Sequence, residues 1–429
     1  MKIPKFKISP KTLRLLKLVG QLAQQRGESA YAVGGFVRDL ILKRPVMDID
    51  ITVEGDGLTF AAVLAQKTGS RIEAFTRFGT SIVIISGLGK IDVATARTET
   101  YEKPGALPVV EKSEITFDLF RRDFTINAMA LSLSPLSFLK LIDPFHGLDD
   151  LRKGCIRALH PLSFVDDPTR VFRAVRFEQR FQKKIEPQTQ KWLLDSIRRN
   201  SMNTVSGERL RNEFHLIFKE PHPERAVRRL AQLGVLLYVH PSLGLSKKME
   251  KNIPKALKTL AFFRKNKIVL DEKMVWFQML LLKPSEAQAE FLSKRLMLSR
   301  NEKKIVVQSA QARVSVMKAL VASEMTMSQM HHLLSSLAAE VQCFLMASAS
   351  PVLRRKMTGY YLNIQQLKPW LQGRDLKIFG IIPGLRYASI LMEALNGQLD
   401  GRFKNRSEVL QWVRETFKSE QVEGSFRIG

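Results

Sequence analysis

The sequence predicts a mixed α/β (α+β) head domain followed by an all-helical remainder. Within the first 155 residues, short apolar runs of strand-like period alternate with short helical stretches. Beyond about residue 160, glycine becomes sparse and long stretches of Leu, Ala, Met, Lys and Glu favour helices. At 429 residues, the chain is also long enough for two or more domains.

The head elements follow in order from these patterns. An apolar stripe predicts a lead-in helix over residues 11–27, and Asp56-Gly57 and Gly69 bracket a second helix. The predicted strands are residues 29–33, 48–53, 71–75, 80–86 and 90–96, and the predicted helices are 11–27, 36–43 and 58–68. Between residues 97 and 119 the pattern lapses, and the Pro- and Gly-containing stretch 102–108 predicts a mobile loop.

The charge balance indicates a polyanionic partner. The 68 Lys and Arg against 41 Asp and Glu give a net charge of +27, spread along the whole chain. A structured surface this basic favours nucleic acid ahead of an anionic membrane. No apolar stretch is long enough to span a bilayer, so we expect no membrane partner. Two scattered cysteines, Cys155 and Cys343, exclude a disulfide framework and favour a cytoplasmic protein.

The most informative feature is Gly34-Gly35 followed by Asp48-Ile49-Asp50. A Gly-Gly bend between a strand and a helix lets backbone N–H groups approach a triphosphate, and Arg38 lies one helical turn further. The strand period of two places Asp48 and Asp50 on one face, where two carboxylates can hold Mg²⁺ against phosphates. Each half alone is usually only a turn or a solvated strand face, whereas the combination predicts nucleotidyl transfer.

Two further polar segments supply candidate nucleotide contacts. Arg121 to Ala128 offers two guanidinium groups beside Asp123 and Asn127, although a surface salt-bridge cluster would look similar. In the second segment, Asp166 to Arg176, the aspartates and Pro168 begin a helix with Arg170, Arg173 and Arg176 at steps of three. An ordinary capped helix with a basic face explains this second pattern equally well.

Together, residues 28 to 215 resemble the class II tRNA nucleotidyltransferases, which build or repair the 3′ CCA end of tRNA, and the related bacterial poly(A) polymerases. The resemblance implies a polymerase-β-like nucleotidyltransferase head followed by an elongated all-helical neck, body and tail. It also implies that Asp48 and Asp50 are catalytic and bind two Mg²⁺ ions. The residues that it assigns to nucleotide binding are Gly35, Arg38, Arg122, Asp123, Asn127, Asp167, Arg170, Arg173 and Arg176.

Within that set, Asp167 and Arg170 resemble the pair that selects C or A by hydrogen bonding. The family usually has Glu before this aspartate, where the present chain has Asp166. Residues 207–213 resemble the last family motif, and the stretch 104–108 lies where the family carries a loop needed to accept ATP. Asp92 is either a third carboxylate near the metal ions or a structural aspartate at a strand edge.

The predicted domains are a catalytic head over residues 1–155, a nucleotide-selecting neck over 156–220, and a body and tail over 221–429. The body and tail would bind the acceptor stem and elbow of tRNA through its phosphates. Candidate phosphate contacts there are Lys247, Lys248, Lys251, Arg264 and Lys265. The predicted substrates are the tRNA 3′ end, ATP and possibly CTP.

Three functions remain open at this point. The chain could add all of CCA or only the terminal A, and an enzyme of the second kind would need a separate CC-adding partner. It could instead be a poly(A) polymerase, although residues 75–80 look like the tRNA-directed branch. A non-catalytic RNA-binding relative is the third possibility, and the intact Asp48 and Asp50 argue against it.

Overall fold

The computed structural model describes residues 6–46, 48–75, 79–100, 105, 108–282, 285–321, 325–381 and 383–423. It divides the chain into two compact units, Met1–Pro241 and Ser242–Gly429. The predicted three-part division at residues 155 and 220 stays a prediction. Most of the predicted 102–108 loop, and residues 76–78 of the predicted tRNA-directed motif, lie outside the described residues.

The first unit begins with a mixed sheet flanked by helices, which confirms the predicted α/β head. Its elements are α1 (Pro10–Gln25), β1 (Ser29–Val33), α2 (Gly35–Ile41), β2 (Ile49–Glu54), α3 (Gly57–Thr68), β3 (Arg71–Phe75), β4 (Thr80–Ile85), β5 (Gly89–Thr95), β6 (Arg97–Thr100), β7 (Val109–Lys112), α4 (Ile115–Phe120), β8 (Ala130–Ser132) and β9 (Leu141–Ile142). Seven strands form one sheet in the order β3-β4-β5-β2-β1-β8-β9. Only the central pair, β2 and β5, runs parallel among these described strands.

Local sequence explains where several head helices begin and end. Ser9 caps α1 by accepting a hydrogen bond from the backbone N–H of Thr12 at 3.1 Å, and Pro10 occupies the first turn. Asp56 caps α3 in the same way, and Gly69 ends that helix in the left-handed conformation. The sequence prediction used Asp56 and Gly69 for α3, and that helix forms there, whereas it placed α1 from its apolar stripe without the Ser9 cap.

The predicted lapse between residues 97 and 119 was wrong. β6 and β7 form an antiparallel ribbon in which Arg97 pairs with Lys112, and α4 follows directly. β6 consists of charged and Thr residues and β7 of two Val, a Glu and a Lys, and neither strand has a buried face, so the alternation that predicts a half-buried strand is missing.

The rest of the first unit is helical, apart from two short strands. Its elements are α5 (Gly147–Lys153), β10 (Cys155–Ile156), α6 (Ser163–Asp166), α7 (Arg170–Phe181), β11 (Lys184–Ile185), α8 (Pro187–Arg198), α9 (Gly207–Phe218), α10 (Pro223–Gln232) and α11 (Val235–Val239). Short 3₁₀ turns occur at Thr125–Asn127, Pro135–Ser137 and Ser201–Thr204. β10 and β11, which lie before and after α7 in the sequence, pair in parallel.

The second unit consists of helices in its described residues, as predicted. They are α12 (Lys247–Lys265), α13 (Glu272–Leu280), α14 (Glu286–Arg295), α15 (Arg300–Ala312), α16 (Ser315–Val321), α17 (Met327–Ser335), α18 (Ala339–Ser348), α19 (Pro351–Gln366), α20 (Gly373–Ile378), α21 (Leu385–Leu399) and α22 (Arg406–Glu423). Leu376, Ile390 and Val409 join α20, α21 and α22 in one apolar core. None of the described helices is both long and apolar enough to cross a bilayer.

Candidate active site

Every residue that the sequence analysis assigned to the site lines one cavity of about 560 Å³ in the first unit. The cavity lies beside β2, the Gly34 bend and α7. The predicted residues on its wall are Gly35, Arg38, Asp48, Asp50, Arg122, Asp123, Asn127, Asp167, Arg170, Arg173 and Arg176. Residues far apart in sequence therefore meet around a single space, as the combination of motifs predicted.

The bend between β1 and α2 demands glycine at Gly34. Its φ of +65° lies in the left-handed region, and a Cβ there would come within 2.5 Å of Arg122 Nη1. The N–H of Gly34 donates a hydrogen bond to the Met129 carbonyl at 3.1 Å, which fixes the bend against β8. By contrast, a Cβ on Gly35 would meet its nearest neighbour, Arg38 Nη2, at an ordinary 3.5 Å.

The predicted carboxylates stand at the edge of β2. Asp48 directly precedes the strand, which begins at Ile49, and is exposed; Asp50 lies within it and is partly buried. Burial raises the pKa of Asp50 to about 6, with Asp92 and Asp48 adding to the rise while Arg122 opposes it. These three acidic groups are thus close enough to repel one another.

Asp92 is the direct neighbour of Asp50 on the parallel strand β5. Its Oδ2 forms an ion pair with Lys90 at 3.1 Å, whereas its buried Oδ1 has no hydrogen-bond partner among the described residues. The structure therefore places this third carboxylate beside the predicted pair.

The donor set suits a hard divalent cation held jointly with a phosphate-bearing substrate. Within the described ranges, no three His, Cys, Asp or Glu side chains are grouped so as to hold a metal ion by themselves. Neither Asp48 nor Asp50 forms an ion pair with any described residue, so their oxygens are available. Mg²⁺ commonly takes one or two carboxylates and completes its coordination with water and substrate phosphates.

Arg38 is a buried cation with a fixed orientation. Its Nε and Nη2 donate to the two carboxylate oxygens of Asp39, each at 2.9 Å, and its Nη1 donates to Asn127 Oδ1. Asn127 in turn donates through Nδ2 to Asp123 Oδ1 at 2.8 Å. A guanidinium held on several sides is positioned before a phosphate arrives, which lowers the cost of binding it.

The same network continues to helix α7 through Asp123. Arg173 Nε donates to Asp123 Oδ2 at 2.7 Å. Although burial acts to raise the pKa of Asp123, the positive charge of Arg173 and the hydrogen bond from Asn127 lower it to about 2. The nearby Asp123 charge raises the pKa of Arg173 above its usual range. Asp123 is therefore ionised and holds α7 against the head.

Asp167 and Arg170, the predicted base-selecting pair, are each bound to other protein groups. Asp167 Oδ1 accepts hydrogen bonds from Arg209 Nη2 at 2.7 Å and from the Thr169 hydroxyl at 2.6 Å. Arg170 donates through Nη1 to Ser163 Oγ and through Nη2 to the Arg121 carbonyl, both at 2.6 Å. These bonds fix both side chains on the cavity wall.

Sequence reasoning missed an aromatic support beneath the arginines. The rings of Phe177 and Phe181 on α7 stack with centroids 5.7 Å apart. Arg38 lies over both rings, at 5.4 Å from Phe177 and 4.7 Å from Phe181, and Arg176 lies 5.2 Å from Phe177. The i, i+4 spacing of two Phe residues between arginines was a visible signal for this arrangement.

A second omission concerns the charges behind the cavity. Asp118 on α4 is fully buried and pairs with Arg121 at 2.6 Å and with Arg122 at 2.9 Å. Burial acts to raise the pKa of Asp118, but the two guanidinium groups outweigh it and lower that pKa. Because α4 was not predicted, this anchor for the paired arginines could not be predicted either.

Comparisons with known proteins agree with this geometry. Residues 30–157 match the model of the poly A polymerase head domain, and residues 184–245 match that of a probable RNA and SrmB binding site of polymerase A. An A-adding tRNA nucleotidyltransferase of Halalkalibacterium halodurans is 32% identical over 95% of this chain and 93% of the relative. The chain belongs to the tRNA nucleotidyltransferase family.

Two other members of the tRNA nucleotidyltransferase family extend the comparison. An A-adding tRNA nucleotidyltransferase of Geobacter sulfurreducens is 36% identical over 93% of this chain, which spans only 46% of that relative's length. The structure of a Thermotoga maritima CCA-adding enzyme complexed with tRNA superposes with a TM-score of 0.81 at 31% identity, covering 97% of this chain and all of the other. The predicted head-and-helices fold is thereby confirmed.

Proposed function

We propose that this chain is a tRNA nucleotidyltransferase that transfers nucleotides from ATP, or from CTP and ATP, to the 3′ end of tRNA. The observation that carries the proposal is the pairing of Asp48 and Asp50, free of ion pairs with described residues, with a cavity wall of oriented arginines. Binding RNA alone would require no unpaired carboxylates in a basic cavity, so the arrangement favours an enzyme.

In the proposed reaction, the 3′ hydroxyl oxygen of the RNA attacks the α-phosphorus of the nucleotide. A phosphorus–oxygen bond forms there, the hydroxyl proton passes to solvent, the bond from the α-phosphorus to the β-phosphate oxygen breaks, and pyrophosphate leaves. Asp48 and Asp50 would hold divalent metal ions, with Mg²⁺ as the specific proposal. When bound, such ions neutralise phosphate charge and favour ionisation of the attacking hydroxyl.

The chain's own groups position the reactants. The Gly34 bend leaves room beside Arg122, and Arg38, held by Asp39 and Asn127, is oriented to bind the triphosphate. The side chains of Asp167 and Arg170 are held on the cavity wall by hydrogen bonds to other protein groups, which supports a role in selecting the base. Positioning and electrostatics, with little side-chain acid–base chemistry, should therefore account for most of the rate.

Addition of only the terminal A is the narrower form of the proposal. The relatives from Halalkalibacterium halodurans and Geobacter sulfurreducens, which match at least 93% of this chain, are both named as A-adding enzymes. Complete CCA addition is the second candidate, because the similar Thermotoga maritima structure is named as a CCA-adding enzyme. A-only addition would require a separate CC-adding enzyme in the same cell.

The second unit is proposed to bind tRNA through its phosphates, consistent with the net charge of +27. Of the predicted contacts, Lys247, Lys248 and Lys251 are exposed on α12 and its start. Arg264 instead forms an ion pair with Glu272, which makes it a weaker candidate. A cytoplasmic location remains part of the proposal, and the free Cys155 and Cys343 are compatible with it.

The deciding experiment uses three tRNAs, ending before CCA, after C and after CC. Each is incubated with purified protein, Mg²⁺ and CTP, ATP or both, and the products are resolved at single-nucleotide length. Extension of only the CC-ended tRNA by ATP would establish A addition, and extension of all three would establish CCA synthesis. Long A tails on unrelated RNA would instead identify a poly(A) polymerase. No extension of any substrate would refute the enzymatic proposal.

A further inference from the structure

A second basic cavity, of about 350 Å³, adjoins the active site in the first unit. It shares Arg176 and Arg180 with the active-site wall. Its charged and titratable lining residues are Arg44, Arg176, Arg180, Glu220, His222 and Arg225. Because two arginines belong to both walls, an anion could contact the two cavities through common groups.

The charge of this second cavity is strongly unbalanced. Four guanidinium groups face one lining carboxylate, Glu220, which lies 3.9 Å from Arg180 Nη1. Glu224, whose carboxylate lies 3.3 Å from His222 Nδ1, is a second negative charge close to the cavity but does not line it. Cations gathered at this density repel one another unless an anion lies among them.

Arg176 supplies an independent sign of an anion site. Arg176 is only 8% exposed, and its Nε has no hydrogen-bond partner among the described residues. A buried N–H without an acceptor is costly, and an incoming phosphate oxygen would satisfy it. Because Arg176 lines both cavities, that acceptor could come from either side.

The exposed arginines are also held in place. Arg44 lies 4.9 Å and Arg180 5.6 Å from the centroid of the Phe181 ring, the same ring that supports Arg38 of the active site. Three guanidinium groups therefore surround one buried aromatic ring. Such stacking fixes the planar groups and reduces the entropy lost when they bind an anion.

We propose that this second cavity is a phosphate-binding subsite, which receives either a backbone phosphate of the RNA close to its 3′ end or the pyrophosphate released by transfer. The proposal rests on the function proposed above, because that reaction brings both kinds of phosphate to the adjoining cavity. Arg44 and Arg225 are its diagnostic residues, since both line the second cavity and neither lines the first.

The test compares the double variant Arg44→Gln/Arg225→Gln with the wild type. Its control is Lys191→Gln/Arg199→Gln, which removes two exposed positive charges of the first unit outside both cavities. The dissociation constants of inorganic pyrophosphate and of CC-ended tRNA are measured separately by calorimetry and fluorescence anisotropy. Thermal melting verifies that each variant is folded.

We expect one of the two dissociation constants to rise about tenfold in the Arg44/Arg225 variant, as for loss of a charge-assisted contact, and to stay within about twofold in the control. A rise for pyrophosphate would identify the product as the ligand. A rise for tRNA, with a salt slope smaller by about 0.7 for each lost contact to a single-stranded phosphate, would identify the RNA backbone.

Unchanged constants for both probes would overturn the proposal. It would also be overturned if the dissociation constant of ATP rose as much as that of the affected probe, because the residues would then act on the active site itself. Binding is measured without turnover. A wild-type protein that extends no tRNA would thus refute the proposed function while leaving the result for the second cavity readable.

Discussion

The two walls of the active-site cavity are built in opposite ways. On the strand wall, Asp48 and Asp50 have no ion-pair partner among the described residues. On the helix wall, Arg173 is bound by Asp123, and Arg170 by Ser163 and the Arg121 carbonyl. The strand wall therefore keeps charge available for a ligand, whereas the helix wall uses protein contacts to fix its cations.

The acidic groups of the two walls differ in the same sense. Burial raises the pKa of Asp50 to about 6, because no cation is close enough to compensate fully. Asp123, although more deeply buried, has its pKa lowered to about 2 by Arg173 and Asn127. The difference teaches that the partners of a carboxylate, rather than its burial alone, decide whether it is an open ligand position or a structural anchor.

The largest expected effect comes from removing charge on the strand wall. Asp48→Asn and Asp50→Asn should each lower the rate of nucleotide incorporation by at least about 10²- to 10³-fold, because a group that stabilises transferring phosphate charge is lost. The affinity for tRNA should remain within about twofold. Asp149→Asn, at a partly exposed position on α5 outside the cavity, serves as the control. Retained turnover in single-nucleotide assays would remove these aspartates from the chemistry.

Next in size is the loss of the anchor on the helix wall. Arg173→Gln leaves Asp123 buried without its cation, and we expect the free energy of unfolding to fall by about 3 kcal/mol. That value is at the low end for a buried pair, since the Arg173 side chain is 33% exposed. Urea denaturation measures it. Arg198→Gln, which breaks the exposed pair with Asp195, should cost less than about 1 kcal/mol. Equal losses of unfolding free energy in the two variants would contradict the anchoring role of Arg173.

The pH dependence of stability isolates the same anchor. The pKa of Asp123 is about 2 when folded and about 3.9 in an unfolded chain, so its ionised form stabilises the fold above pH 4. This contribution, of about 2 to 3 kcal/mol, should be lost as the pH falls from about 4 to about 2. Urea titrations of wild type and Asp123→Asn should converge over that range. A constant difference between them would exclude the ionised anchor.

The smallest expected effect concerns the choice of base. Arg170→Ala removes a fixed donor from the helix wall, and the ratio of kcat/KM for ATP over CTP should change by about tenfold, or about 1.4 kcal/mol. The control is Arg199→Ala, the same substitution at an exposed arginine just after α8. The affinity for tRNA should change less than the ratio does. An unaltered preference in competition assays would refute the selecting role.

Sequence patterns were sufficient for most of the strand wall. The Gly-Gly bend, β2 and the position of Asp50 follow from local alternation and from the conformational freedom of glycine, and the structure places them as predicted. Asp48 lies one residue outside the strand on which it was predicted. Local rules predict such elements well and locate their ends less well.

The helix wall could be predicted only in part, because its partners are distant in sequence. The steps of three among Arg170, Arg173 and Arg176 were visible, whereas Asp123 is 50 residues from Arg173. The hydrogen bond from Arg209 to Asp167 likewise spans 42 residues. No periodicity encodes which buried acid meets which arginine, since tertiary packing decides it.

The short parallel pair β10–β11 has a consequence for protein engineering. Ile156 and Ile185 are partners in this pair, so the segments that precede and follow α7 are joined by strand pairing. The backbone N–H of Ala158 adds a further contact between the two segments by donating a hydrogen bond to Thr189 Oγ1 at 3.1 Å. A catalytic fragment that ends near residue 155 would lack β11, the strand with which β10 pairs. A chimaera that exchanges base preference should therefore carry residues 156–189 together.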